Sequence, residues 1–151
     1  MRVDDILRGK GTRIGTVRVN ETVEVALRLL KAEDTDGLVV KDVCRTEGNT
    51  VVGVLSDHDV VRALTERGAG VLAQPVTALM RRDPVFCRPG DPLHRVLELM
   101  DEHKIRHVPV LDGASLVGLI TVADLIRSQI AQMAAGGPAD RRWDFPVAAH
   151  Q

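Results

Sequence analysis

The chain writes one pattern of side chains twice. With Gly53 aligned on Gly118, an offset of 65, positions 53–62 and 118–127 share three identities: Gly53/Gly118, Asp59/Asp124 and Arg62/Arg127. Five further pairs keep their side-chain class: Val54/Leu119, Leu55/Ile120, Ser56/Thr121, Val60/Leu125 and Val61/Ile126. Upstream the offset is 70, and Val23, Ala26, Leu27 and Leu30 fall on Leu93, Val96, Leu97 and Met100, each set spaced i, i+3, i+4, i+7. That spacing is one apolar helical face, so the fold must be assembled from two like units. The change of offset has a local source: VCRTEGNTVV separates Asp42 from Gly53, whereas GASLV separates Asp112 from Gly118. The five extra residues predict a longer surface loop in the first half.

Each unit reads as a short helix (VDDIL, 3–7; VTALM, 76–80) and a brief extended piece (Gly15–Arg18; Val85–Arg88). An amphipathic helix follows (about 22–32 or 92–103), then strands at 37–41 and 51–55 or at 107–111 and 116–120, then a closing helix. This is an α+β fold, each repeat a small mixed sheet with flanking helices. A unit of about 60 residues buries too little surface alone, so the two repeats, 1–68 and 73–133, are expected to pack with pseudo-twofold symmetry and to leave a cleft where they meet. From residue 134 the periodicity is lost, and 134–151 reads as a C-terminal tail.

Composition closes several doors. Twenty basic residues stand against 21 acidic, a net charge of −1, with both signs mixed throughout, so no long-range field draws in nucleic acid or an anionic membrane. No apolar run reaches the roughly 18 residues of a membrane span, and MRVDDILRGKG lacks the apolar core of a signal peptide. A cytoplasmic location is expected. Cys44 and Cys87 have no CxxC spacing and fit two free thiols in a reducing compartment. No nucleophile motif, HExxH or phosphate-binding P-loop is present, so no catalytic residues are assigned.

The duplicated Ser56-x-x-Asp59 and Thr121-x-x-Asp124 admit two readings. As capping boxes, the hydroxyl accepts from a first-turn N–H and the acid reaches back to the cap, a placement that also suits the helix dipole. As a binding site, an ionised carboxylate at a strand-to-helix turn accepts two O–H donors from a sugar cis-diol, while backbone N–H groups of the same turn favour phosphate. The usual reciprocal cap is Glu or Gln, and here a shorter Asp is used both times.

These residues resemble a known family. The segments VDDIL, TVEVALRLL, GLVV and VVGVLSDHDVVRAL, repeated as VTALM, PVFCRPGDPLHRVLELMDEHKIRHVPVLDG and LVGLITVADLIR, look like a tandem pair of cystathionine β-synthase (CBS) domains, the Bateman module, over about residues 1–131. The resemblance implies a non-catalytic regulatory module that binds AMP, ADP or ATP, with NAD or S-adenosylmethionine as alternatives, and requires no cofactor. It implies that Asp59 with Ser56, and Asp124 with Thr121, hold ribose and phosphate. It places the base between Thr16–Val17 and Gly37–Leu38 in one site, and between Phe86–Cys87 and His107–Val108 in the other. Arg106 and His107, just before VPV, imply that phosphate favours the second site, because Asp36 stands in the matching place of the first. A homodimer and a separate effector protein are further implied partners. A ligand-free interaction protein, in which the caps are only caps, stays as the alternative.

Several features read as ordinary structure. His58 between Asp57 and Asp59 suggests a metal, but adjacent helical residues point about 100 degrees apart and do not converge. Arg62 and Arg127 suit ion pairs with the acids three residues before them. His94 and His103 read as solvated, and Met80, Leu97 and Met100 as core. Gly53 and Gly118 in strands imply a close backbone approach. Trp143 and Phe145 in the tail either dock on a partner or lie loose.

Overall fold

A computed structural model describes residues 1–11, 13–44 and 48–134, with the side chains of residues 43, 44, 48 and 49 left aside. The chain divides into two compact units. One runs from Arg13 to Pro84; the other joins residues 1–12 to the chain from Val85 onward.

In the Arg13–Pro84 unit, β1 (Thr16–Arg18), β2 (Gly37–Cys44), β3 (Gly48–Ser56) and β4 (Arg81–Arg82) form a four-stranded sheet in that order. β1 runs parallel to β2, and the remaining pairs are antiparallel. Helices α2 (Val23–Ala32) and α3 (Asp57–Arg67) flank it, with 3₁₀ turns at Ala69–Ala73 and Val76–Ala78. The foreseen apolar face of α2 is buried: Val23, Ala26 and Leu30 join Val17, Leu38, Val40, Leu55, Val60, Val76 and Met80 in one core.

In the other unit, α1 (Val3–Lys10), α4 (Leu93–His103), the hairpin β5 (His107–Asp112) and β6 (Ser115–Thr121), and α5 (Val122–Ala134) enclose a second core. It holds Val3, Ile6, Leu7, Cys87, Leu93, Val96, Met100, Val108, Val110, Ile120 and Leu125.

The repeat extends to backbone pairing. Val17 pairs with Val40 in parallel, and Cys87, 70 residues on, makes a parallel bridge to Val110. Cys87 N–H donates to the Pro109 carbonyl at 3.0 Å and the Leu111 N–H to that of Cys87 at 2.9 Å. Both hairpins carry a register shift at matching places, Val40/Lys41 and Val110/Leu111. Both long helices end alike, with the Thr35 amide on the Leu30 carbonyl and the Ile105 amide on that of Met100, across left-handed Asp34 (φ 51°) and Lys104 (φ 55°).

Three features depart from expectation. The five extra residues of the first half lengthen the hairpin, with Asp42 opposite Thr50, Val43 opposite Asn49 and Cys44 opposite Gly48. The β-branched content of the segment explains this, since valine and threonine suit a pleated strand. VTALM forms only a 3₁₀ turn over Val76–Ala78 before the edge strand β4. And compact units do not follow sequence order: α1, which opens the first repeat, packs with the rest of the second, while Val76–Arg82, which lie near the start of the second, pack with the rest of the first. The reading of 134–151 as a tail, with Trp143 and Phe145, falls outside the described residues apart from Ala134, which closes α5.

Candidate functional site

Both duplicated turns fold as closed capping boxes. Ser56 N–H donates to Asp59 Oδ2 at 3.1 Å, and Asp59 N–H donates to Ser56 Oγ at 3.1 Å. Thr121 N–H donates to Asp124 Oδ2 at 2.9 Å, and Asp124 N–H to Thr121 Oγ1 at 3.1 Å. All four residues are buried. The next amide in each turn is also engaged: Asp57 N–H reaches the Asp36 carbonyl at 2.9 Å, and Val122 N–H that of Arg106 at 3.1 Å. The expectation that these turns present several open amides to phosphate is therefore corrected. Two of the first three are used, and among the described residues the second-position amides of His58 and Ala123 have no such partner.

Each acid keeps Oδ1 clear of its cap, and there the halves differ. Asp124 Oδ1 accepts from the Arg127 guanidinium at 2.9 Å, the expected ion pair three residues on. Its Oδ2 also accepts from Lys10 Nζ at 2.6 Å, and the same ammonium donates to the Leu119 carbonyl at 2.8 Å. Burial by itself raises the Asp124 carboxyl, but hydrogen bonds from Lys10 and the Thr121 amide, the Lys10 charge and Arg127 outweigh it and hold the carboxyl below the ordinary aspartate value. Asp59 faces Arg81, whose Nε lies 3.8 Å from Oδ1, close enough for charge but too far for a hydrogen bond. The expected Arg62–Asp59 pair is not formed among the described residues; Arg81 takes that place.

The residues expected around a base divide into two sets. Val17, Leu38, Cys87 and Val108 have side chains in the two cores, so they offer a ligand backbone only. Gly37 pairs with Ser56 and His107 with Thr121, which brings the start of each first hairpin strand beside the capping hydroxyl. Thr16 is half-buried and pairs with Val39, while Phe86 is 37% exposed. The Arg106 side chain is exposed and His107 buried. Burial, with Asp91 nearby, pushes the Cys87 thiol up to about 12. No cluster of metal-ligating side chains occurs among the described residues, Asp57 and His58 included.

Lys10 and Arg81 were not legible as site residues. Each follows one of the paired segments VDDIL and VTALM, but the offset of 73 between those segments sets Arg81 against Arg8 and Lys10 against Asp83. Only the tertiary fold shows which cation reaches which acid.

The comparisons with known proteins agree with this architecture. The family model for the CBS domain matches residues 4–66 and 76–131. The chain is 30% identical over 125 residues to the CBS domain-containing protein YhcV of Bacillus subtilis, covering 83% of this chain and 85% of that one. Its fold is similar to the crystal structure of the CBS-domain containing protein ATU1752 from Agrobacterium tumefaciens, with TM-score 0.77, 30% identity, and 85% and 92% of the two chains covered. It is also similar to the CBS domain protein PAE2072 from Pyrobaculum aerophilum complexed with AMP, with TM-score 0.73, 25% identity, and 89% and 99% covered. The chain belongs to the CBS domain family and carries two copies of the domain in tandem.

Proposed function

We propose that the chain is a regulatory module that binds an adenosine nucleotide, AMP, ADP or ATP, at the Asp59 and Asp124 turns and performs no chemistry on it. The observation that carries this reading is the duplicated turn itself: a buried carboxylate at each strand-to-helix junction, with one oxygen on its own cap and the other directed away from it. A ribose offers two adjacent hydroxyls, and a carboxylate is an acceptor-only group that takes both. The likeness to a CBS domain protein complexed with AMP supports the adenosine class. Binding at such turns shifts a conformational or oligomeric equilibrium only through different affinity for the two states, and a separate effector protein reads that shift.

A homodimer is part of this reading. Val61 on α3 and Ile126 on α5, equivalent under the offset of 65, are 59% and 55% exposed, and Ile130 and Met133 extend the α5 patch. Apolar side chains repeated on two helices in this way suit burial against a second copy. Val61→Glu with Ile126→Glu converts the dimer to a monomer in light-scattering measurements; a wild-type chain that is monomeric at all concentrations refutes this part.

The closed capping boxes favour a second reading, a ligand-free interaction protein. Thermal unfolding with AMP, ADP, ATP, NAD and S-adenosylmethionine in turn separates the two. A ligand at about 100 times its Kd adds about 2.7 kcal/mol, and Asp59→Ala with Asp124→Ala removes that gain. The caps alone predict a loss of about 1 kcal/mol per substitution with or without ligand, and no response to any of the five compounds overturns the nucleotide reading.

A further inference from the structure

The two acids are twins in sequence and differ in what they can still accept. A carboxylate offers about four lone-pair positions. On Asp124, the Thr121 amide and Lys10 occupy Oδ2 and Arg127 occupies one position of Oδ1, so one remains. On Asp59, the Ser56 amide is the single hydrogen bond among the described residues, so three remain. A cis-diol needs two. Resting on the adenosine-binding reading above, we propose that Lys10 is an internal competitor that closes the Asp124 site: Asp59 takes a ribose as the protein stands, and Asp124 takes one only when the Lys10 ammonium leaves.

Lys10 is built to hold and to leave. It is the last residue of α1, its ammonium is fixed at two points, Asp124 Oδ2 and the Leu119 carbonyl, and its side chain remains 31% exposed. A four-carbon stem at a helix end swings into solvent by rotamer changes, without unfolding the helix. The Asp124 carboxylate then has two positions for a diol. Among the described residues no ammonium is hydrogen-bonded to Asp59 on the other side. The residue that aligns with Lys10 under the VDDIL/VTALM offset of 73 is Asp83, and the cation near Asp59 is a guanidinium 3.8 Å away and 42% exposed. Occupancy of the Asp124 site therefore reports whether α1's final residue is docked, and ligand at that site selects the undocked form.

Isothermal titration of the full chain with AMP, and in parallel with adenosine, tests this. The wild type binds one equivalent, lost in Asp59→Asn. Lys10→Met, which keeps the stem and removes the charge, gains a second equivalent with affinity raised about tenfold or more, and Lys10→Met with Asp124→Asn loses it again. Lys10→Arg stays at one. Adenosine shows the same gain as AMP, since the competition is for the carboxylate and not for phosphate. Weaker AMP binding in Lys10→Met with adenosine unchanged identifies Lys10 as a phosphate contact and overturns the proposal. Equal stoichiometry in wild type and Lys10→Met also overturns it, while no binding of either compound to any variant sinks the adenosine reading itself. Acetylation of the Lys10 ammonium, mapped by mass spectrometry, provides a second measurement if Lys10→Met folds poorly: in the wild type, AMP well above the concentration that fills the Asp59 site speeds modification of Lys10 by freeing it from Asp124 and the Leu119 carbonyl, and an unchanged rate refutes displacement of Lys10.

Discussion

Leu7 lies against Gly118 so closely that the strand has no room for a side chain there. A Cβ on Gly118 would fall within van der Waals radii of Leu7 Cδ2 and 3.0 Å from its Cδ1; one on Gly53 would meet Met80 Sδ at 2.7 Å and the Arg81 carbonyl at 2.8 Å. In each unit the segment that crosses the strand is thus seated on a glycine. Overpacking of this kind costs about 1–3 kcal/mol. Gly53→Ala is the more destabilising of the two, because the Arg81 carbonyl is backbone held by β3–β4 pairing, whereas Leu7 can rotate. Urea unfolding checks both. Leu7→Ala costs less in the Gly118→Ala background than in the wild type, because it also relieves the crowding, and simple additivity of the two substitutions refutes the contact.

The helix ends make a separate prediction. Asp34 and Lys104 both hold left-handed backbone, at φ 51° and 55°, after the long helix of each repeat. Asp tolerates this conformation through its short polar side chain, and Lys does not. Lys104→Gly therefore stabilises the protein by up to about 1 kcal/mol, and Asp34→Gly by less. Thermal unfolding in which Asp34→Gly gains as much as Lys104→Gly contradicts this ordering.

Much of this fold is legible because burial and helix capping are written in short windows. The α2 and α4 faces follow from the i, i+3, i+4, i+7 spacing, and the close approaches on β3 and β6 announce themselves as Gly53 and Gly118. What a window cannot carry is partnership across distance. Asp124 and Lys10 are 114 residues apart, and a single lysine at a helix end has no pattern that distinguishes a docked ammonium from a solvated one. The swap of the short N-terminal segments between units is hidden for the same reason: VDDIL and VTALM align with each other and say nothing about which strand each crosses. The Asp57-His58-Asp59 run is the reverse case: its local geometry is legible in the sequence, since adjacent helical side chains point about 100 degrees apart and do not converge on one ion.

Cys87 sits in the core at the position that Val17 holds in the other repeat, and its thiol is pushed up to about 12 by burial and by Asp91. At pH 8 the thiolate fraction is then on the order of 10⁻⁴, where an unperturbed cysteine would be about a quarter ionised. Alkylation mapped by mass spectrometry proceeds at Cys87 at least about a hundredfold faster in denaturant than in the native protein at that pH. Comparable rates in the two states mean the thiol is accessible and the placement in the core is wrong. Cys87→Val, the residue of the other repeat, retains the fold within about 1.5 kcal/mol of wild type.

Acid separates the role of the Asp124 carboxylate from that of its shape. The folded-state value lies below the ordinary one, so the native protein binds the proton less readily than the unfolded chain does. The resulting stability is fully present above the unfolded value of about 3.9 and is lost as pH falls through the depressed folded value. Asp124→Asn removes the charge but keeps the outline. It is therefore less stable than wild type by about 1–3 kcal/mol at neutral pH, and this gap stays flat down to about pH 5 and narrows below about pH 4. Lys10→Met lowers the neutral-pH stability and shallows the acid limb of the wild-type curve, because its ammonium supplies both a hydrogen bond and a charge that keep Asp124 ionised. Chemical unfolding from pH 3 to 7 measures all three curves. If the wild type and Asp124→Asn run parallel to the acid end, Lys10 and Arg127 do not hold the carboxylate in the ionised state, and the closed Asp124 site has no electrostatic basis.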